Sequence, residues 1–90
     1  MTDQTPCKRI TVRYFASIRE AVGQGSEAVP TTATTLGALR DALIARGGPY
    51  ASSLARGRAV RMALNQVLSD ETALLTDGAE VAFFPPVTGG

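Results

Sequence analysis

The sequence contains no histidine, no tryptophan and a single cysteine, Cys7, among 90 residues. Histidine is the side chain whose ordinary pKa lies closest to neutrality, so general acid–base catalysis at pH 7 lacks its usual agent. One cysteine forms neither an internal disulfide nor a thiolate metal cage. Cys7 also falls in a polar stretch ahead of the first periodic segment, where no base is at hand to activate it. The eight carboxylates are scattered, and no pair reads as acid and base. Side-chain catalysis by this chain alone, and a metal site, are therefore not expected. Lysine is nearly absent too. Lys8 is the only one, against eight arginines, which is poorly suited to a modifier that polymerises through its own lysines. No segment approaches the roughly 20 apolar residues of a membrane span, and Met1–Pro6 is not a signal peptide. The net charge of +1 supplies no strong field for nucleic acid or an anionic membrane. A cytoplasmic, single-domain protein with a small core and neither of those partners is expected.

What is present is a short series of periodic segments. Residues 1–8 read as a disordered leader. Arg9–Phe15 alternates polar and apolar residues and predicts a strand with Ile10, Val12 and Tyr14 on one face. Ser17 with Glu20 three residues on fits a capping box, predicting a short helix to about Val22 that Gly23 closes. Glu27–Val29 predicts a short strand stopped by Pro30, pairing with the first as a hairpin with an elaborated connection. Thr35 is a good N-cap for a helix over Leu36–Arg46. Leu36, Leu39, Ala42 and Leu43 are expected on its buried stripe, and Arg40, Asp41 and Arg46 away from it. Gly47-Gly48-Pro49 ends that helix, and Tyr50–Gly57 predicts a further helical turn. Val60–Leu64, a turn at Asn65-Gln66 and Val67-Leu68 predict a second hairpin. Asp77-Gly78 is another turn signal, and Glu80–Phe84 is the last strand, ended by Pro85-Pro86. One main helix and about five strands in this order predict an α+β fold, a β-grasp with the helix on one face of a mixed sheet. The domain then spans residues 9–84, with 85–90 an extended tail.

That tail is Pro85-Pro86-Val87-Thr88-Gly89-Gly90. Glycine packs nothing and loses the most backbone freedom on ordering, so a closing Gly-Gly does little for a fold. It is well suited to carrying a carboxylate through a narrow channel into another protein's active site. Two prolines stiffen the base, and six residues reach at most about 20 Å. Phe83 and Phe84 are strand neighbours and face opposite ways. With one sheet face covered, Phe83 is expected inward and Phe84 outward.

The segment Leu75–Gly90 resembles the C-terminal signature of the small, sulfur-carrying subunits of molybdopterin synthase, within the ubiquitin-like β-grasp proteins. Val12–Glu20 is similar to that family's first strand and short helix, and Ala63–Gln66 to its internal hairpin. The resemblance runs from about Arg9 to Gly90. It departs in the leader and over Gly48–Arg58. It implies that Gly90 carries the chemistry, with Gly89 threaded behind it. A partner activating enzyme would use ATP and magnesium to adenylate the Gly90 carboxylate, and a sulfur donor protein would convert the adenylate to a thiocarboxylate. The tail, through Pro85, Pro86, Val87 and Thr88, would enter the synthase large subunit in a heterotetramer and give sulfur to cyclic pyranopterin monophosphate. The resemblance also places partner contacts on Phe15, Leu68 and Phe84. No cofactor is expected on this chain itself. Three other readings stay open: a carrier for thiamine or another sulfur-containing product, a ubiquitin-like protein modifier, and a plain interaction domain with an inert tail.

Overall fold

The structure is a computed structural model that describes residues 7–86. The expectations for residues 1–6 and for Val87, Thr88, Gly89 and Gly90 lie outside the described residues. The elements run β1 (Lys8–Tyr14), α1 (Ala16–Val22), β2 (Ser26–Thr31), α2 (Leu36–Ile44), α3 (Gly48–Leu54), β3 (Arg61–Leu64), β4 (Val67–Ser69) and β5 (Glu80–Phe84). The five strands form one mixed sheet in the order β2-β1-β5-β3-β4. β1 and β5 lie side by side in parallel at its centre, and the other pairings are antiparallel. This is the expected α+β arrangement, with α2 as the main helix and two shorter helices, α1 and α3.

The alternation in β1 does what period-2 patterning requires. Ile10, Val12 and Tyr14 are buried against Leu36, Leu39, Leu43, Leu54, Val81 and Phe83. Thr35 caps α2 as expected, its hydroxyl accepting from the Ala38 N–H at 3.1 Å. Asn65 and Gln66 both take positive φ, 50° and 72°, the mirror-image turn that matches the twist of a two-residue hairpin.

Several expectations are corrected. β1 begins at Lys8, so the leader is one residue shorter on that side. The Ser17–Glu20 capping box does not form. Phe15 is the N-cap of α1 without a side-chain cap, and its carbonyl accepts from Ile18 and Arg19. Ser17 is already inside the first turn. Pro30 does not end β2, which runs on to Thr31. The reason is its place on an edge strand. Opposite Pro30, Arg9 turns both its N–H and its C=O away from β2, to Asp77 and Gly78. No ladder donor is wanted from residue 30, and proline is tolerated.

On α2, Ala42 is exposed and Arg40 is buried, the reverse of expectation. Position 40 lies four residues after Leu36 and three before Leu43, so helical spacing puts it on the buried stripe. Its charge is satisfied there. Nε and Nη2 donate to the carbonyls of Leu54 and Ala55 at 2.7 and 3.0 Å, and Nη1 to Glu71 at 3.2 Å. Both carbonyls lie at the C-terminus of α3, where a cation is favoured, and that of Ala55 also accepts from the Arg58 N–H at 2.8 Å. The predicted turn at Tyr50–Gly57 is this helix, begun two residues earlier and ended at Leu54, with Pro49 in its first turn.

A second polar clamp ties β2 to the helices. The Glu27 carboxylate accepts from the hydroxyls of Tyr14 (2.7 Å) and Tyr50 (3.0 Å) and pairs with Arg46 at 3.0 Å. Burial, with the hydrogen bond to Glu27 next, pushes the Tyr14 phenol well above its ordinary value. Burial also acts to raise Glu27, but its three donors outweigh it and the carboxyl stays below its usual range.

The candidate functional site at the root of the tail

β5 lies between β1 and β3, and its register sets what surrounds the point where the tail begins. Met62, Tyr14 and Phe83 share one lateral row, and all three are buried among the helices. Phe83 is fully buried, as expected. Its neighbour Phe84 points to the uncovered face and is half-buried. Phe15, one residue past β1, is 40% exposed. The Phe15 N–H donates to the Phe83 carbonyl at 3.2 Å, which prolongs the β1–β5 pairing by one residue and sets the two rings edge to face, with centroids 6.5 Å apart and planes at 85°. Such a pair adds roughly 0.5–1.5 kcal/mol beyond its buried area.

Ala16 follows with φ +52°, a left-handed conformation that costs an alanine roughly 1 kcal/mol. This residue turns the chain from strand into helix in one step. Phe15, Ala16, Ala82, Phe84, Pro85 and Pro86 together line an open, largely apolar groove of about 500 Å³. On the other side of Pro85 is a polar cleft of about 400 Å³ with Ser17, Ile18, Ser53, Arg58 and Val60 among its walls.

Four residues singled out from the sequence, Phe15, Phe84, Pro85 and Pro86, therefore meet in one groove. Leu68 does not join them. It sits on edge strand β4, 60% exposed, beside Arg61, Ser69, Asp70 and Ala73 in a separate shallow recess. It shares the open face through the register Leu68–Ala63–Ala82. Gly89 and Gly90, with Val87 and Thr88, lie outside the described residues. The sequence reading missed Ala16 and Ala82, which carry no chemical signal, and Arg13. The alternation Arg9, Thr11, Arg13 did place Arg13 on the open face. Its guanidinium carbon lies 5.4 Å from the Phe15 ring centroid, and its Nη1 pairs with Glu80 at 3.1 Å.

Chemically, the described residues offer a surface rather than a reaction centre. No group of three or more His, Cys, Asp or Glu able to hold a metal occurs among them, and no helix among them is long and apolar enough to cross a membrane. An apolar groove rimmed by cations at the base of a chain terminus is suited to docking.

The comparisons with known proteins point the same way. The molybdopterin synthase sulfur carrier subunit of Escherichia coli (strain K12) is 44% identical over 81 residues, covering 90% of this chain and 99% of that protein. In the complex of subunits 1 and 2 of molybdopterin-converting factor from Helicobacter pylori 26695, one chain superposes with a TM-score of 0.61 at 31% identity, over 91% of this chain and 99% of that one. SAMP1 from Haloferax volcanii superposes with a TM-score of 0.73 at 26% identity, over 91% and 99%. The ThiS family matches residues 12–90, from the middle of β1 through the closing Gly-Gly. With that match covering all but the first residues of the sheet, and relatives aligned over nearly their full length, the chain belongs to the ThiS family.

Proposed function

We propose that this chain is the sulfur carrier subunit of a molybdopterin synthase and that the Gly90 carboxylate is the carrying group. The observation that carries this reading is the placement of β5. A rigid central strand runs straight into the tail, and the only paired aromatics on the open face, Phe15 and Phe84, flank its root. The extensive identity to sulfur carrier subunits supports it.

A carboxylate is a poor electrophile. In this reading a partner activating enzyme, using ATP and magnesium, forms an acyl-adenylate on Gly90 and releases pyrophosphate. A sulfur donor protein then displaces AMP and leaves a thiocarboxylate, a covalent store of reduced sulfur. The tail enters the large subunit in a heterotetramer, with Phe15, Phe84, Pro85 and Pro86 docked at its base and Leu68 contacting it beside them. Val87, Thr88 and Gly89 thread the channel. Sulfur passes to cyclic pyranopterin monophosphate, two carriers supplying the two sulfurs of the dithiolene. The acids, bases and oxyanion donors come from the partners, so a chain without histidine suffices.

Intact mass of the chain isolated from its own host tests this. A gain of about 16 Da, oxygen replaced by sulfur, is expected when a sulfur donor is active. Its loss on deletion of Gly90 is expected as well. The likeness to SAMP1, a small archaeal modifier protein, favours a second reading, conjugation of Gly90 to lysines of other proteins. A ladder of heavier species on gels, with no sulfur gain, would establish that one instead.

A further inference from the structure

Six of the eight arginines fall into two groups, and the division points to a charge on the partner. Arg40, Arg46 and Arg56 are paired on the helical side with Glu71, Glu27 and Asp41. The arginines around the tail root are not balanced in this way. Arg61 lies directly opposite Phe84 in the antiparallel β3–β5 register, so the two side chains share the open face. Arg13 lies opposite Ala82 on the other flank of β5. Arg58 lines the cleft against Pro85.

Among the described residues, Arg58 and Arg61 make no side-chain hydrogen bond or ion pair. Arg13 shares one with Glu80, which leaves its side chain 47% exposed. Asp70 borders the same recess as Arg61, but its carboxylate accepts from the N–H and hydroxyl of Thr72. Against Glu80 and Asp70, Arg13, Arg58 and Arg61 leave the surroundings of the tail root with one surplus positive charge, as large as the net charge of +1 on the whole chain.

We propose that the large-subunit surface receiving the tail root carries carboxylates facing Arg13, Arg58 and Arg61 around an apolar centre. The proposal rests on the sulfur-carrier reading. Charges at the rim of an apolar patch act chiefly on the encounter. They raise the association rate by factors of roughly 10 to 1,000 over a neutral pair and lose that advantage as salt rises.

The test is stopped-flow or surface-plasmon association of the full chain with the large subunit from the same organism, at low and high sodium chloride. The wild-type association rate is expected to fall about tenfold or more between about 20 and 500 mM salt, as the screening length shrinks from roughly 20 Å to a few ångströms. The double variant Arg58→Glu/Arg61→Glu is expected to associate at least tenfold more slowly at low salt, with a flattened salt response. The milder Arg58→Gln/Arg61→Gln is expected to fall between the two. Arg9→Glu makes a two-unit charge change at the far end of β1 and is expected to change the rate less than twofold. Circular dichroism confirms folding of each. Binding that is tight but independent of salt and of these substitutions would overturn the inference and leave the sulfur-carrier reading standing. An equal loss with Arg9→Glu would also overturn it, since net charge rather than placement would then act. No association of the wild-type chain at any salt would overturn both.

Discussion

The two faces of the sheet are built from the same strands, one residue out of phase, and they obey different rules. On the covered face Ile10, Val12, Val81 and Phe83 are completely buried, and Tyr14 is nearly so. On the open face Arg9, Thr11, Arg13, Ala82 and Phe84 alternate with them, and none is buried. The covered face must minimise apolar exposure and satisfy every polar group, and no buried side-chain donor or acceptor among the described residues lacks a partner. The open face leaves Phe15 and Leu68 in solvent, at a cost of up to about 1.5–3 kcal/mol each relative to burial. Stability does not explain large apolar side chains there, whereas a second protein does. In the sulfur-carrier reading, docking belongs to the face that the helices leave uncovered.

The contrast is sharpest at the tail. Deleting Gly90 is expected to abolish sulfur loading and transfer while leaving the melting temperature unchanged. Gly89→Val is expected to come close to this, because a β-branched side chain stiffens backbone that in the sulfur-carrier reading threads a channel. Thermal melts with pyrophosphate-exchange and molybdopterin-formation assays check both. Activity without Gly90 would remove the basis of the carrier reading.

The adjacent phenylalanines break the comparison most directly. Phe83→Ala is expected to destabilise the domain by about 3–5 kcal/mol, read in denaturant melts. Phe84→Ala is expected to cost well under half of that in stability, and about 2 kcal/mol or more in binding to the large subunit, read by calorimetric titration. Equal stability losses would mean that the open face belongs to the core.

Arg40→Met asks whether the covered face tolerates an apolar chain where it now holds a charge. The loss of three hydrogen bonds strands the Leu54 carbonyl and leaves that of Ala55 with the Arg58 N–H alone, and a destabilisation of about 1–3 kcal/mol is expected. Hydrogen exchange is expected to quicken first in α3.

The smallest effect is with pH. Glu27 is held below its usual carboxylate range, so its contribution is complete above the unfolded value near 4.5 and is lost as pH falls through the folded value. Tyr14 is raised, so its contribution is complete below about pH 10 and is lost as pH rises beyond. Melts across pH are expected to decline at both ends, and Glu27→Gln to flatten the acid limb.

Much of this was legible in the residues. Period-2 alternation in β1, the Thr35 cap and the Asn65-Gln66 turn are local, and they formed as read. The opposed placement of Phe83 and Phe84 follows from strand geometry plus the inference that helices cover one face. The errors came where a distant partner overrides a residue's usual preference. Arg40 was read as exposed from its charge, although its spacing placed it inward. The deciding fact is the open end of α3, which supplies two carbonyls. Pro30 was read as a stop because proline removes a donor, and only its place on an edge strand makes that donor unnecessary. Ser17 was read as a cap, but the backbone pairing of Phe15 with Phe83 starts the helix two residues earlier.

The sequence by itself determined the order of elements, the apolar stripe of each strand and the Gly-Gly of the tail, because these depend on neighbours a few residues away. Only the tertiary structure decided which residues surround the root of the tail at Pro85 and Pro86. The parallel pairing of β1 with β5 brings Phe15 to Phe84 across 69 positions of sequence, and the β3–β5 register sets Arg61 opposite Phe84. Strand order and register arise from the fit of the whole core, and no local pattern encodes them.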